Sequence, residues 1–254
     1  MAKQKKPRVP VAPRSRKEAA PLLTRNRVIA VAAVAGAIAV ALVVASLLSA
    51  RGGDGGGSGE VTGAADVESM LQGIPQDATV LGKPDAPVTL VEYADLQCPF
   101  CAEWARATLP VLVSDYVKGG QLKIEFRGLT FIGPDSETAL RSALSAGDQQ
   151  KLWNVVDLLY VNQGDENSGW VSDDFLHAVG EAVPGLDVDA MLANADSDGV
   201  TESIARAANQ ATAAGVTSTP SFEIGKTGGD LAPLEFSSLG PPDFKAAVDR
   251  LLNG

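Results

Sequence analysis

The residues of this chain with the most chemistry to offer are two cysteines three positions apart, in the run Cys98-Pro99-Phe100-Cys101. They are its only cysteines. Thiol–disulfide exchange needs an attacking thiolate and a second thiol near enough to resolve the mixed disulfide. The motif follows an apolar, β-branched run and opens one of helical spacing, so it reads as strand, turn and helix start. Cys98 at the N-terminal edge of that helix and Cys101 one turn later bring the two sulfurs together. The helix's unpaired N–H groups and positive dipole end then face Cys98. This lowers its pKa and makes it the exposed nucleophile and leaving group. Pro99 suits the first helical turn, where the N–H it lacks would go unused. Cys101, turned back into the domain, is the resolving thiol.

Two plainer readings compete. A stapling disulfide across so small a loop gains little, because loop-entropy stabilisation grows with loop size. A zinc site wants four ligands; beyond the two cysteines the chain offers a single histidine, His177, far along on an amphipathic helical stretch. The pair is therefore read as a redox dithiol, with no metal and no cofactor.

The elements that must position this dithiol follow from the pattern around it. Ala64 to Gln72 reads as a short helix and Asp77 to Leu81 as a short first strand. Pro87 to Tyr93 is β-branched and mostly apolar, as a strand covered on both faces would be. Apolar residues recur at helical spacing from Cys101 to Val117, with a kink expected at Pro110 and a stop at Gly119-Gly120. Gln121 to Phe126 alternates like a second core strand. From Pro134 to Gly215 nearly everything reads as helix, with caps expected at Ser136, Asp148, Ser172, Asp187 and Asp198. Trp153, Leu158 and Leu159 supply bulk to a helical mini-core. After Thr219-Pro220 come a strand from Ser221 to Ile224, a glycine turn, an edge strand near Leu231 to Phe236 and a closing helix from Pro242 to Leu252. Strand–helix–strand at the start requires a parallel pair, and the late strands suggest an antiparallel hairpin. The order gives an α/β thioredoxin-type sheet with a helical domain inserted in its middle. Residues 65–133 and 216–254 would form the thioredoxin-like domain, and 134–215 the insertion.

Three segments carry a family resemblance: Gly82-Lys-Pro-Asp-Ala-Pro-Val88, Glu92-Tyr-Ala-Asp-Leu-Gln-Cys-Pro-Phe-Cys101, and Gly215-Val-Thr-Ser-Thr-Pro-Ser-Phe222. They resemble the DsbA-type (DsbA/BdbD-like) thiol–disulfide oxidoreductases, especially their membrane-anchored form. That resemblance implies a cis peptide at Thr219-Pro220, opposite the dithiol, with Thr219 facing the sulfurs and its backbone open to an extended substrate. It also implies a buried acid at Glu92, able to take the proton of Cys101; the plainer reading is an exposed strand residue, although alternation puts Glu92 on one face with the apolar Leu90. Phe100 departs from the pattern, since the family's strongest oxidants carry His there. Phe offers no hydrogen-bond donor and Asp95 adds negative charge nearby. A less depressed Cys98 pKa and a less oxidising dithiol are expected.

Charge divides the chain. Ten of the 21 basic residues but one of the 31 acids lie at or before Arg51, leaving a body with a formal charge of −19. So acidic a body argues against nucleic acid as a partner. Between Arg27 and Arg51, Val28 to Ala50 is uncharged and, at about 1.5 Å per residue, long enough for a hydrocarbon core of about 30 Å. It reads as one N-terminal transmembrane helix (28–50), behind a basic, disordered cytoplasmic leader (1–27) and ahead of a Gly-rich flexible linker (51–64). A cleaved signal peptide is the alternative; the long basic leader and the length of the apolar run speak against it. Either way the body would face an oxidising, extracytoplasmic space.

The sequence thus points to a membrane-tethered, extracytoplasmic enzyme that donates a disulfide to folding secreted or membrane proteins. By resemblance, a DsbB- or VKOR-like membrane protein would reoxidise it. A reductase or isomerase of the same fold is the alternative. A redox-inert binding or chaperone module is a third, disfavoured by the intact dithiol and Thr-Pro pair.

Overall fold

The computed structural model describes residues 60–254. The expected leader, the expected membrane helix and most of the expected linker lie outside the described residues. Within them, no helix is long and apolar enough to cross a membrane. The chain is already held at Thr62, whose backbone N–H donates to Asn162 Oδ1 at 2.9 Å and whose carbonyl accepts from Asn162 Nδ2 at 3.0 Å.

A helix α1 (Ala64–Leu71) leads to a six-stranded sheet in the order β1-β2-β4-β3-β5-β6. Its strands are β1 (Gln76–Asp77), β2 (Val80–Leu81), β3 (Val88–Ala94), β4 (Leu122–Gly128), β5 (Ser221–Lys226) and β6 (Ala232–Pro233). At the centre, β3 pairs in parallel with β4 (Glu92 opposite Phe126) and antiparallel with β5 (Glu92 opposite Phe222). Every residue of β3 is buried, as a mostly apolar, β-branched strand covered on both faces should be, and Thr89 and Glu92 are buried with the rest. The expected parallel pair and late antiparallel hairpin are both present. Where one first strand was expected, there is a tight hairpin: β1 and β2 turn at Ala78, whose φ is 49°.

The helix after the dithiol is shorter than its pattern predicts. α2 (Pro99–Ala107) ends at Thr108, a single turn α3 (Leu109–Leu112) follows, and Val113–Val117 is π-helical. Pro110 explains the break, because its ring opposes the carbonyl four residues back and it has no N–H to give. α2 is seated by aromatics: the Trp104 ring lies 5.0 Å from Phe222 on β5 and 5.9 Å from Phe244 on the closing helix α9 (Pro241–Asn253).

Between β4 and β5 run α4 (Pro134–Gly147), α5 (Leu152–Val161), α6 (Asp173–Glu181), α7 (Val188–Asn194) and α8 (Asp198–Ala213). They do not make a mini-core of their own. Trp153, Leu158 and Leu159 on α5 belong to one buried cluster with Leu90 and Phe126 of the sheet, and Trp153 meets Phe126 edge-on at 6.0 Å. The reason is bulk: nine consecutive residues of α5 are buried, more than its sister helices could cover. Ser172 and Asp187 cap α6 and α7 as expected. α8 is capped by Ser197 rather than Asp198, Asp148 ends α4 instead of starting α5, and Ser136 is drawn inward to another partner. At Gly128 a Cβ would fall 2.1 Å from Leu140 Cδ1, so this glycine is what lets α4 lie against the end of β4.

Candidate active site

β3 runs straight into the dithiol. Beyond Ala94, Asp95 makes a buried turn: its carbonyl accepts from Cys98 N–H at 3.0 Å and its Oδ1 from Gln97 N–H at 2.8 Å. The same carboxylate accepts from Ser136 Oγ at 2.6 Å and from Ile132 N–H at 3.0 Å. Its charge is therefore spent on backbone and hydroxyl donors, which is why it is buried without a cation. Gln97 carries the tie onward, accepting from Asn167 N–H at 2.6 Å. Gln163 closes the ring by donating to the carbonyls of Leu96 (2.9 Å) and Cys98 (3.2 Å).

Cys98 is the N-cap of α2 and Pro99 its first residue. Both cysteines are free thiols. The Thr219-Pro220 peptide is cis, and the Thr219 carbonyl accepts from Cys98 Sγ at 3.4 Å. That segment covers the sulfur, so Cys98 is 4% exposed rather than openly presented as its position in the sequence suggested. Cys101 is wholly buried and Phe100 is 59% exposed. Glu92 is 1% exposed, which removes its reading as a surface strand residue, and its Oε1 has no hydrogen-bond partner among the described residues. The structure thus brings Cys98, Cys101 and Thr219-Pro220 together, with Glu92 buried on the strand that leads to them.

The two thiols differ sharply. The Cys98 thiol is lowered to about 6: the hydrogen bond from Cys101 is the main cause and overcomes the opposing effect of burial. The Thr219 side chain and the backbone N–H groups of Cys101 and Phe100 add to it. Those N–H groups are the free donors of the first helical turn that the motif predicts. Cys101 is pushed well up, by burial first, then by Cys98 and Glu92. Glu92 is raised well above the usual carboxylate range by burial, with Asp157 and then Cys98 reinforcing it. At neutral pH the pair favours one thiolate at Cys98 and one thiol at Cys101, beside an acid whose proton is held more tightly than that of an ordinary carboxyl.

Titrating the thiolate absorbance of the reduced protein is expected to give a midpoint near pH 6 for Cys98. Phe100→His, which adds a donor at the rim of the sulfur, should shift it lower; an ordinary midpoint near 8.5 in the native protein would overturn the assignment of Cys98 as nucleophile.

A helix-capping thiolate beside a buried thiol, carried on this sheet, defines a thiol–disulfide oxidoreductase of thioredoxin fold. The comparisons agree. The family model described as Thioredoxin matches residues 76–238. The probable disulfide bond formation protein D of Bacillus cereus is 32% identical over 175 residues, 68% of this chain and 77% of the relative. The oxidised BdbD structure from Bacillus subtilis superposes with a TM-score of 0.61 at 21% identity, covering 72% of this chain and 98% of that one. A thioredoxin-like oxidoreductase from Silicibacter pomeroyi gives 0.53 at 28% identity, with coverage of 74% and 98%. The chain belongs to the thioredoxin family, among the DsbA-type thiol–disulfide oxidoreductases.

Sequence reasoning missed one group here. Asp157 is 4% exposed in the middle of α5 and its Oδ2 has no partner among the described residues. The signal was present: it is the lone acid in Leu152–Val161, an otherwise almost wholly apolar helix.

Proposed function

We propose that the protein oxidises paired thiols of secreted or membrane proteins as they fold, using the Cys98–Cys101 disulfide. A client thiolate attacks Cys98 Sγ, the Cys98–Cys101 bond breaks, and its electron pair leaves on Cys101 as thiolate. Protonated Glu92 supplies the proton that Cys101 takes up. A second client thiolate then attacks the client sulfur of the mixed disulfide, forming the client's disulfide and expelling Cys98. Two electrons pass from client to enzyme; one proton ends on Cys101, and Cys98 leaves as a stable thiolate. The observation that carries this reading is the opposed ionisation of the two thiols, low at Cys98 and high at Cys101, which makes Cys98 the better leaving group of the mixed disulfide. The name of the Bacillus cereus relative, a probable disulfide bond formation protein, supports the same direction. Thr219-Pro220 would receive the client's extended chain beside Cys98.

The uncharged segment 28–50 would anchor the enzyme, with the basic leader in the cytoplasm and the catalytic body outside. Reoxidation would fall to a membrane protein of the DsbB or VKOR kind. Equilibrating the full-length chain in mild detergent with glutathione buffers tests the direction. A potential well above thioredoxin's, about −270 mV, supports the oxidase; one at or below that value supports a reductase instead.

Glu92→Gln removes the acid but keeps its shape. Protonation of Cys101 at neutral pH should slow by roughly 100-fold, the low end for a positioned acid, with Cys98 still reactive. Stopped-flow oxidation of a reduced peptide reads this, and an unchanged rate from pH 5 to 9 would remove Glu92 from the reaction.

A further inference from the structure

Glu92 is buried on the central strand β3, so a proton it gives to Cys101 must be replaced from somewhere. Asp157 lies on the side of the molecule that can replace it. Its burial is nearly complete, yet it lines a cavity of about 350 Å³ that also reaches Asp66 and Val67 on α1, Arg106 and Ala105 on α2, and Tyr160 on α5. That volume is room for several waters, and within its mostly apolar lining Asp66, Arg106, Asp157 and Tyr160 are the polar side chains they could meet. Arg106 is the single cation lining it, and its Nη1 is engaged with the Tyr160 carbonyl at 2.8 Å. The carboxyls of Glu92 and Asp157 each keep one buried oxygen without a partner among the described residues. An unpaired buried acid costs stability, and two in one core need a reason.

We propose that Asp157 is the outer station of a proton path running from the water-accessible cavity through Glu92 to Cys101. When the leaving Cys101 thiolate takes the Glu92 proton, Asp157 returns one to the Glu92 carboxylate and is itself reprotonated from cavity water. During reoxidation of the dithiol the same proton travels outward. No electron moves along this path, and each step transfers one proton between two oxygens or from oxygen to sulfur. Asp157 touches neither sulfur nor client; it is a positioning residue that keeps Glu92 in its acid form.

The surroundings fit that task. Burial first, and then the charge of Asp157, raises Glu92, and burial alone raises the Asp157 carboxyl to about 8. The other charged or titratable groups there are Asp66 and Glu68 on α1, Cys98 capping α2, Cys101, Arg106 and the exposed Glu103 on α2, and Tyr160 beside Asp157 itself. Glu68 is turned to Asn154, which donates to it at 3.2 Å. No cation is thus bonded to Asp157 to hold it ionised, and at neutral pH it is a protonated donor. Above pH 8 it loses that proton, and the path should fail.

The inference rests on the oxidase reading, and the test separates the two. Full-length protein and its Asp157→Asn, Asp157→Glu, Glu92→Gln and doubly substituted Asp157→Asn/Glu92→Gln forms are compared in peptide oxidation from pH 5 to 9.5. Wild type should lose rate above pH 8. Asp157→Asn should be slower by about tenfold at pH 7, flat through pH 8, and unaltered in the Cys98 thiolate midpoint; Asp157→Glu should restore both rate and limb. The double variant should be no slower than Glu92→Gln, because both act on one path. An Asp157→Asn protein with the wild-type rate and pH profile, or additive losses in the double variant, overturns the proposal while leaving the oxidase reading intact. A wild type that oxidises no peptide overturns the oxidase reading and this inference with it.

Discussion

Cys98→Ser is expected to abolish peptide oxidation, by at least about a thousandfold, whereas Cys101→Ser, which cannot form the disulfide, should instead hold an oxidised client on Cys98 as a mixed disulfide. The two outcomes follow from the different positions of the sulfurs. Cys98 caps α2 beside the Thr219 carbonyl and keeps 4% exposure, so in the proposed reaction it is the sulfur that meets the client; Cys101 is wholly enclosed. Serine is the informative replacement at Cys101. The first cause of the low Cys98 pKa is the hydrogen bond from Cys101, and a serine hydroxyl can donate in its place. Cys98 should stay largely ionised near neutral pH, attack oxidised clients and remain trapped with them on a non-reducing gel. Cys101→Ala removes the donor, and its thiolate midpoint should rise toward the ordinary thiol value near 8.5. Equal midpoints in the Ser and Ala variants would show that the helix terminus alone sets the acidity.

Asp95→Ala should destabilise the fold by about 3–5 kcal/mol, because three buried donors lose their acceptor at about 1–3 kcal/mol each. Two backbone N–H groups and the Ser136 hydroxyl lose their acceptor at once. Asp95→Asn keeps Oδ1 but turns an NH2 group toward the Ile132 N–H, for a cost of about 1–3 kcal/mol. Urea unfolding of the reduced proteins measures both. A midpoint within error of wild type for Asp95→Ala would mean water replaces the carboxylate, and the turn before Cys98 would not depend on it.

These two residues show where the sequence was readable. Spacing and residue type were enough for Cys98 and Cys101, because a helix start after a β-branched strand places the thiols whatever surrounds them. The strand order was legible for the same reason: β3 and β4 announce themselves by composition. Asp95 was seen only as a charge near the sulfurs, since its donors come from residues two, 37 and 41 positions away. Ser136 fits a cap by local pattern, but the offer of a buried carboxylate outweighed a helix end that Gly133 and Pro134 already shape. The π-helical turn after Pro110, closed by the Lys118 N–H on the Val113 carbonyl five residues back at 3.0 Å, has no composition signature. Asp157 was legible in principle as a single acid in an apolar helix. Knowing that it faces a cavity required the packing of α1, α2 and α5.

The sheet's outer strands bear on the company this enzyme would keep. β1 and β6 are two residues long, and Pro233 in β6 has no N–H to offer. Unfolded clients are chains looking for a strand partner, and a long bare edge would invite them to add to the sheet and aggregate there. With both borders so brief, the protein can meet many half-folded chains through its sulfur without becoming a template for any of them.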